Sequence, residues 1–187
     1  MTCKMILNSA DADFAARFTA LQSMKREQAA DVHADVAAII EAVQTDGDDA
    51  LIALTAKFDR LDLTTTPMQV SAAEIDAAEK ACAPETRAAL DTAARRIADF
   101  HARQKPDDNR FTDDAGVELG HRWTPVDAAG LYVPGGLANY PSSVLMNALP
   151  ARVAGVERVT MVVPTPDGVI NPLVLAAAKR AGVDEIF

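Results

Sequence analysis

GLYVPGGLANYPSSVLMNALP, residues Gly130–Pro150, is the stretch of this 187-residue chain that best indicates its fold. The apolar run Leu131–Val133 is typical of a buried strand, and Pro134 with the glycines after it ends that strand. Ser142 or Ser143 can cap the helix that follows, because either hydroxyl can accept a hydrogen bond from the first free backbone N–H groups. The loop between strand and helix is therefore predicted at the carboxyl end of a parallel strand, where ligands bind in open α/β sheets.

The alternation of strand and helix continues to the last residue. Glu157–Val163 predicts a second strand, Asn171–Ala181 a second helix, and Val183–Phe187 the start of a third strand. Asn171 before Pro172, and Gly182 just past the helix, are the residues expected at the two ends of a short helix. The fold class is therefore α/β, with an incomplete Rossmann-like parallel βαβαβ unit over residues 129–187.

Upstream of residue 129 the sequence predicts helices followed by a β-hairpin. Helical spacing of apolar residues indicates five helices, over about residues 13–21, 31–43, 48–58, 71–82 and 84–104. Leu51, Leu54 and Phe58 are expected on the inner face of the third helix. Ser71 with Glu74 forms a capping box at the start of the fourth. The two-residue period over Phe111–Thr124 predicts the hairpin. We expect an amino-terminal arm over residues 1–26, and a helical region with the hairpin over 27–128 that begins a larger domain.

Composition and charge argue against several classes of protein. A hydrophobic content of 49% fits a packed core and not a disordered chain. The net charge of −9 argues against sequence-independent binding to nucleic acid or to an anionic membrane. The amino terminus resembles neither a secretion signal nor an anchor, so a cytoplasmic protein is expected. Cys3 and Cys82 are far apart in sequence and are expected to be reduced thiols.

Several segments resemble histidinol dehydrogenases. They are GLYVPGG from Gly130, PSSVLM from Pro141 and PARVAG from Pro150, with GDDAL from Gly47 and TAKFD from Thr55 further upstream. Members of that family are more than twice as long, so the resemblance implies an amino-terminal fragment of such an enzyme. The implied activity is oxidation of L-histidinol through the aldehyde to L-histidine with two NAD, in histidine biosynthesis. The resemblance also implies a zinc ion that holds this small-molecule substrate, and a homodimer.

The same resemblance places a nicotinamide-dinucleotide contact at Tyr132, with Pro134, Gly135 and Ser142 as further cofactor-binding candidates. Each of these residues also has a structural alternative. Tyr132 can pack its ring in the core, Pro134 and Gly135 can simply turn the chain, and Ser142 can serve only as a cap. No G-x-G-x-x-G motif is present, so the usual dinucleotide fingerprint is missing.

No catalytic or metal-binding residue is expected within this chain. His33, His101 and His121 are its only histidines, and their spacing matches no metal-ligand pattern. The resemblance implies that the zinc ligands, the Glu–His pair that handles protons and a glutamine that contacts NAD all lie beyond residue 187. Asn139 and Tyr140 are expected in a solvated loop. We therefore expect the isolated chain to be inactive.

Two other functions stay open at the level of sequence. Sulfopropanediol dehydrogenases share this motif region and differ mainly downstream, so an NAD-dependent dehydrogenase for a different alcohol is one alternative. The other is a non-catalytic fragment with packing and weak nucleotide-binding roles only. The side chains expected to touch the substrate lie outside this sequence, so its residues do not choose among the three.

Overall fold

The computed structural model describes residues 6–135 and 140–187, with the backbone alone over 23–31, and forms two compact units, one up to Ala53 and one over Leu54–Phe187. Its elements in chain order are α1 (Phe14–Asp46), α2 (Asp48–Asp59), α3 (Ala72–Ala81), α4 (Pro84–Ala102), β1 (Asn109–Thr112), β2 (Glu118–His121), β3 (Ala128–Tyr132), α5 (Pro141–Ala154), β4 (Arg158–Val162), a short 3-10 turn (Pro166–Gly168), α6 (Pro172–Ala181) and β5 (Glu185–Ile186).

A parallel sheet organises the second unit. Its strand order is β3-β4-β5, and Tyr132 pairs with Val162 at the carboxyl end of the first two strands. Thr160 of β4 pairs in parallel with Glu185 of β5. Because consecutive parallel strands need a crossover, α5 joins β3 to β4 and α6 joins β4 to β5. The predicted α/β class, with helices followed by a parallel βαβαβ unit, is confirmed.

The core lies between the sheet and helices α5 and α6, and α3 and α4 pack outside those two helices. Strands β3 and β4 turn alternate side chains towards α5, as the strand period of two requires. Helix α6 meets its neighbours through small residues, which let backbones approach closely. The fully buried residues include Val133, Val144, Leu145, Ala148, Val159, Met161, Ala176, Ala177, Ala178 and Ile186.

Local chemistry at the helix ends agrees with the sequence predictions. Ser71 N–H donates to the Glu74 carboxylate at 2.8 Å, and Glu74 N–H donates back to the Ser71 hydroxyl at 3.3 Å, which completes the capping box. The Asn171 side chain accepts from Leu173 N–H at 2.8 Å at the start of α6. Gly182 ends α6 with a φ of +72°, a left-handed conformation that glycine adopts without steric cost.

Helix α1 corrects the prediction of two separate amino-terminal helices. It is one helix of 33 residues, so among residues 6–108 four helices and not five precede the hairpin. The stretch between the two predicted helices, residues 22–30, contains no glycine or proline and is rich in good helix formers, so nothing local ends the helix there. The domain boundaries predicted after residues 26 and 128 stay predictions.

Side-chain burial in α2 also differs from the prediction. Leu51 is 38% exposed and Phe58 is 55% exposed, so the prediction that these two face inward is wrong, whereas Leu54, predicted with them, is half-buried. Amphipathic spacing identifies the apolar face of a helix but not the partner that covers it. Within the described parts of the chain, no helix is both long and apolar enough to cross a membrane.

The predicted hairpin is confirmed. Strands β1 and β2 pair antiparallel, with Phe111 opposite Leu119. The Asp113 carboxylate accepts from the N–H groups of Ala115 and Val117 at 2.9 Å each, which holds the turn. Every residue of both strands is exposed, so cross-strand pairs and the turn hold the hairpin together.

Candidate functional site

The loops that follow β3 and β4 touch each other at the carboxyl edge of the sheet. Val133 N–H donates to the Val162 carbonyl at 3.0 Å, and both strands end at this point. Gly135 then passes so close to Pro164 that an added Cβ would collide with the Pro164 carbonyl oxygen. This approach requires glycine at position 135 for packing alone. The carboxyl edge is therefore a continuous surface made by two adjacent loops.

Tyr132, the last residue of β3, turns its ring away from the core. It is 64% exposed, whereas the next residue, Val133, is completely buried. Since side chains alternate across a strand, Tyr132 lies on the sheet face opposite α5. The alternative that this ring packs in the core is wrong for the described residues. An exposed aromatic side chain at the ligand-binding edge of a parallel sheet can supply a stacking surface.

The amino terminus of α5 rises from the same edge, although it is not capped as predicted. The helix begins at Pro141, with Tyr140 at the N-cap position and no side-chain cap, so neither Ser142 nor Ser143 is the cap. Proline is favoured at the first helical position because its φ is already helical, and this places both serines inside the first turn. Ser142 is exposed there. Ser143 N–H already donates to the Tyr140 carbonyl at 3.0 Å, so the Ser142 N–H and the positive end of the helix dipole are what this turn can offer an anion.

An ion pair borders the loop after β4. Arg60, directly after α2, donates from Nε and a terminal nitrogen to the two carboxylate oxygens of Asp167, each at 2.6 Å. Both side chains are 61% exposed. The hydrogen bonds from Arg60 lower the pKa of the Asp167 carboxyl below its ordinary value, and those to Asp167 raise the pKa of Arg60. No pattern in the sequence indicates this pair, because 107 positions separate its members and neither lies in a motif.

Arg152 ties the far end of α5 to the sheet. Its guanidinium donates to the carbonyl oxygens of Gly182 and Glu157, at 2.8 Å each, and to the Asp184 carboxylate at 2.5 Å. Asp184 in turn accepts from the backbone N–H of Val159 at 2.7 Å. That backbone hydrogen bond, followed by the contact with Arg152, lowers the pKa of Asp184. One side chain thus fixes α5, the end of α6 and the starts of β4 and β5, which sets the position of the loops at the opposite edge.

The histidines do not converge on a site. His33 is exposed on α1, His121 lies edge-on to Trp123 with ring centres 6.0 Å apart, and His101 is half-buried on α4. His101 lines a cleft of about 290 Å³ near Trp123 and the carboxyl-terminal half of α5, at the opposite end of that helix from the carboxyl edge. Within residues 6–135 and 140–187, no three His, Cys, Asp or Glu side chains are grouped to hold a metal ion.

The remaining residues that the sequence singled out are Pro134, Asn139, Tyr140, Cys3 and Cys82. Tyr140 is 45% exposed at the start of α5, as expected of a solvated loop residue, and Asn139 lies outside the described residues. Cys82 is a buried free thiol whose Sγ donates to the Ala78 carbonyl at 3.2 Å. Cys3 also lies outside the described residues. Pro134 is exposed at the beginning of the loop.

Together these features define a class of protein. A parallel βαβαβ unit with a glycine-bearing loop, an exposed aromatic residue and a helix amino terminus at its carboxyl edge has the architecture of Rossmann-like nucleotide-binding proteins. Comparison with known proteins specifies the family, since the family model for histidinol dehydrogenase matches residues 22–187. The chain belongs to the histidinol dehydrogenase family, as the sequence segments predicted.

Individual relatives agree with this assignment. The chain is 59% identical to the histidinol dehydrogenase of Rhodopseudomonas palustris, over 97% of this chain and 42% of the relative. It is 60% identical to that of Cereibacter sphaeroides, over 93% of this chain and 40% of the relative. The crystal structure of histidinol dehydrogenase from Elizabethkingia anophelis superposes with a TM-score of 0.78 at 36% identity, covering 83% of this chain and 36% of that one. The chain thus spans about two fifths of the length of its curated relatives.

Proposed function

We propose that this chain is the dinucleotide-binding part of a histidinol dehydrogenase, which oxidises L-histidinol through the aldehyde to L-histidine with two molecules of NAD. The observation that carries the proposal is the identity of 59% to a named histidinol dehydrogenase over nearly the whole chain. Because the chain spans only 42% of that relative, the active unit is proposed to be a protein of the relatives' length.

The carboxyl edge of the sheet is the proposed place for NAD. The exposed ring of Tyr132 offers it a flat apolar surface, and the first turn of α5 offers the Ser142 N–H and the positive end of the helix dipole to its pyrophosphate. Pro134 and Gly135 shape the loop between them, with Gly135 held against Pro164. Bound NAD would supply the hydride acceptor for the two successive oxidations. The residues described here bind and orient that cofactor.

Zinc, the catalytic base and the substrate contacts are assigned to the remainder of the proposed enzyme. A catalytic zinc needs three converging protein ligands, and the described residues bring no such set together. The described residues therefore do not fit the metal. A homodimer and a cytoplasmic location are proposed from family membership alone.

Replacing Tyr132 tests the site. In the full-length protein that contains this chain, Tyr132→Ala is expected to weaken NAD binding by about 1 to 3 kcal/mol, the range for losing a partly buried aromatic anchor. Tyr132→Phe keeps the ring and is the matched control, with an expected NAD dissociation constant close to that of the wild type. Isothermal titration with NAD gives both constants, and circular dichroism checks the fold of each variant.

Two results would count against the proposal. An unchanged NAD dissociation constant in folded Tyr132→Ala would remove this tyrosine from the site. Formation of NADH with sulfopropanediol but not with histidinol, measured on the full-length wild type, would replace the proposed substrate with the alternative alcohol. Histidinol-dependent NADH formation supports the function as proposed.

A further inference from the structure

The Arg60–Asp167 ion pair lies at the carboxyl edge. Its contribution to stability does not explain why both of its residues have left-handed backbone conformations. Both residues adopt left-handed backbone conformations, with φ of +56° for Arg60 and +59° for Asp167. Such a conformation is strained for Arg60, where it costs more than an exposed ion pair returns, and aspartate tolerates it better. Strained residues persist where surrounding structure enforces them, and they cluster at functional sites. Here the two strained residues are joined to each other by a two-point ion pair.

The pair lies beyond the second strand of the unit, on the side of the fold where dinucleotide-binding proteins recognise the adenosine ribose, with Asp167 five residues past the end of β4. Asp167 lies in the turn that follows β4, three residues beyond Pro164, which itself touches Gly135 of the loop after β3. In a Rossmann-like unit an acidic side chain after the second strand accepts from the 2′-hydroxyl, and an arginine there accommodates a 2′-phosphate. β4 is the second strand of this unit, and the loop after it carries Asp167 with Arg60 attached.

The hydrogen-bonding capacity of the pair is only partly used. A carboxylate has about four lone-pair sites, and Arg60 occupies two of those on Asp167. The free sites can accept from ribose hydroxyls. Meanwhile the charge of Arg60 is neutralised by Asp167, so a phosphate on the ribose would meet a carboxylate and gain little from the guanidinium.

We propose that the Arg60–Asp167 pair contacts the adenosine ribose of the bound dinucleotide and sets a preference for NAD over its 2′-phosphorylated form, NADP. Asp167 accepts from the ribose hydroxyls, and it also keeps Arg60 from binding a 2′-phosphate. The inference rests on the proposed function, since the ribose reaches this pair only when the dinucleotide occupies the carboxyl edge. Arg60 and Asp167 are thus two specificity-determining residues that no motif in the sequence indicates.

The test compares NAD and NADP binding to the full-length protein by isothermal titration. In Asp167→Asn and Asp167→Gly, Arg60 is released, and affinity for NADP relative to NAD is expected to rise about tenfold. Glycine also relieves the left-handed strain, so this variant is expected to fold. In Arg60→Gln, Asp167 is left uncompensated, and the same ratio is expected to fall by about threefold or more because the carboxylate repels a phosphate.

Glu118→Gln is the matched control, because it removes a carboxylate from another exposed arginine pair, Arg110–Glu118 at 3.0 Å in the hairpin. Its ratio of NADP to NAD affinity is expected to stay within about twofold of the wild type. The inference is overturned if the Asp167 and Arg60 variants also stay within that limit while NAD still binds, or if Glu118→Gln shifts the ratio as they do. A wild type that binds neither dinucleotide overturns the proposed function, and this inference with it.

Discussion

At the scale of single residues, the strand that ends at the carboxyl edge decides which side chains are exposed there. Tyr132 and Val133 are neighbours in sequence, but one is 64% exposed and the other is fully buried, because the strand turns them to opposite faces. Position 135 requires glycine, because an added Cβ would collide with the carbonyl oxygen of Pro164. The same glycine can serve the proposed cofactor site only through its backbone, since its Cα is already against the neighbouring loop.

Arg152 allows a prediction at this scale. Arg152→Ala leaves the carbonyl oxygens of Gly182 and Glu157 and the Asp184 carboxylate without this donor. Losing hydrogen bonds to a charged group of this kind is expected to cost about 2 to 3 kcal/mol. Hydrogen exchange of the Val159 and Asp184 amides in the full-length protein measures the loss as faster opening. Arg152→Lys keeps the positive charge but not the planar guanidinium with its several N–H donors. An intermediate loss of stability is therefore expected for this variant.

Unchanged protection of both amides in Arg152→Ala would contradict this account of how the starts of β4 and β5 are held. Both amides lie in the contact region of the Arg152 side chain: Val159 N–H donates to Asp184, and Asp184 N–H donates to the Val159 carbonyl. Faster hydrogen exchange only in helices far from these two amides would therefore not support this account.

At the scale of elements, the helix ends show how local chemistry places secondary structure. Helix α3 begins at a complete capping box, α6 begins at a side-chain cap, and α5 begins at a proline without one. In the first turn of α5, Pro141 has no N–H and Ser143 N–H donates to the Tyr140 carbonyl at 3.0 Å, so the Ser142 N–H stays available for another partner. At the start of α3, by contrast, the Glu74 N–H is used by the Ser71 side chain. This difference supports the start of α5 as the proposed ligand-binding element.

The capping box of α3 gives a prediction with a pH dependence. The hydrogen bonds from Ser71 lower the pKa of Glu74 below its ordinary value of 4.5. A lowered carboxyl pKa means that the stabilisation is present above the ordinary pKa and is lost as the pH falls through the folded value. Ser71→Ala is expected to destabilise α3 by about 1 kcal/mol at neutral pH, and the difference from the wild type should shrink on acidification.

Hydrogen exchange of α3 amides at neutral and acidic pH measures both effects, because it reports local opening. Glu74→Gln is the matched control, since it keeps a side chain that can accept from Ser71 N–H but removes the titration. A difference between Ser71→Ala and the wild type that stays constant with pH would rule out the linkage to Glu74.

At the scale of the whole molecule, one face of the parallel sheet is left open. Tyr132 and Val162 pair across β3 and β4 on the face opposite α5, and they are 64% and 45% exposed. Phe187 follows the buried Ile186 and is 42% exposed. Parallel sheets are almost always covered on both faces, so the exposed apolar residues here indicate surface that is covered in the proposed full-length enzyme, at Tyr132 by the proposed dinucleotide and elsewhere by other chain segments.

The isolated 187-residue chain is therefore expected to be inactive towards histidinol and to retain no stoichiometric zinc. Its described residues bring no set of metal ligands together, and a positioned base is proposed to lie elsewhere in the enzyme. Its exposed apolar surface is expected to cause self-association. NADH formation, metal analysis after dialysis and sedimentation of the purified chain give the three measurements. Turnover above background, or one zinc per chain, would show that the active site has been misplaced.

The sequence by itself determined the family, the parallel βαβαβ unit, the hairpin and most helix ends. These features depend on patterns that act over a few residues: the alternation within a strand, the Ser71–Glu74 box, and the glycine after α6. Each is visible without knowing what packs against it.

Only the tertiary structure decided which residues meet across the chain and which faces are covered. Arg60 and Asp167 are 107 positions apart, and Arg152 and Asp184 are 32 apart, so no local pattern joins them. The outward turn of Tyr132 and the exposure of Phe58 likewise depend on which element covers each face, and amphipathic spacing does not name that element. Contacts between distant segments form only when the sheet and its helices pack, and that is the physical reason they had to be seen in three dimensions.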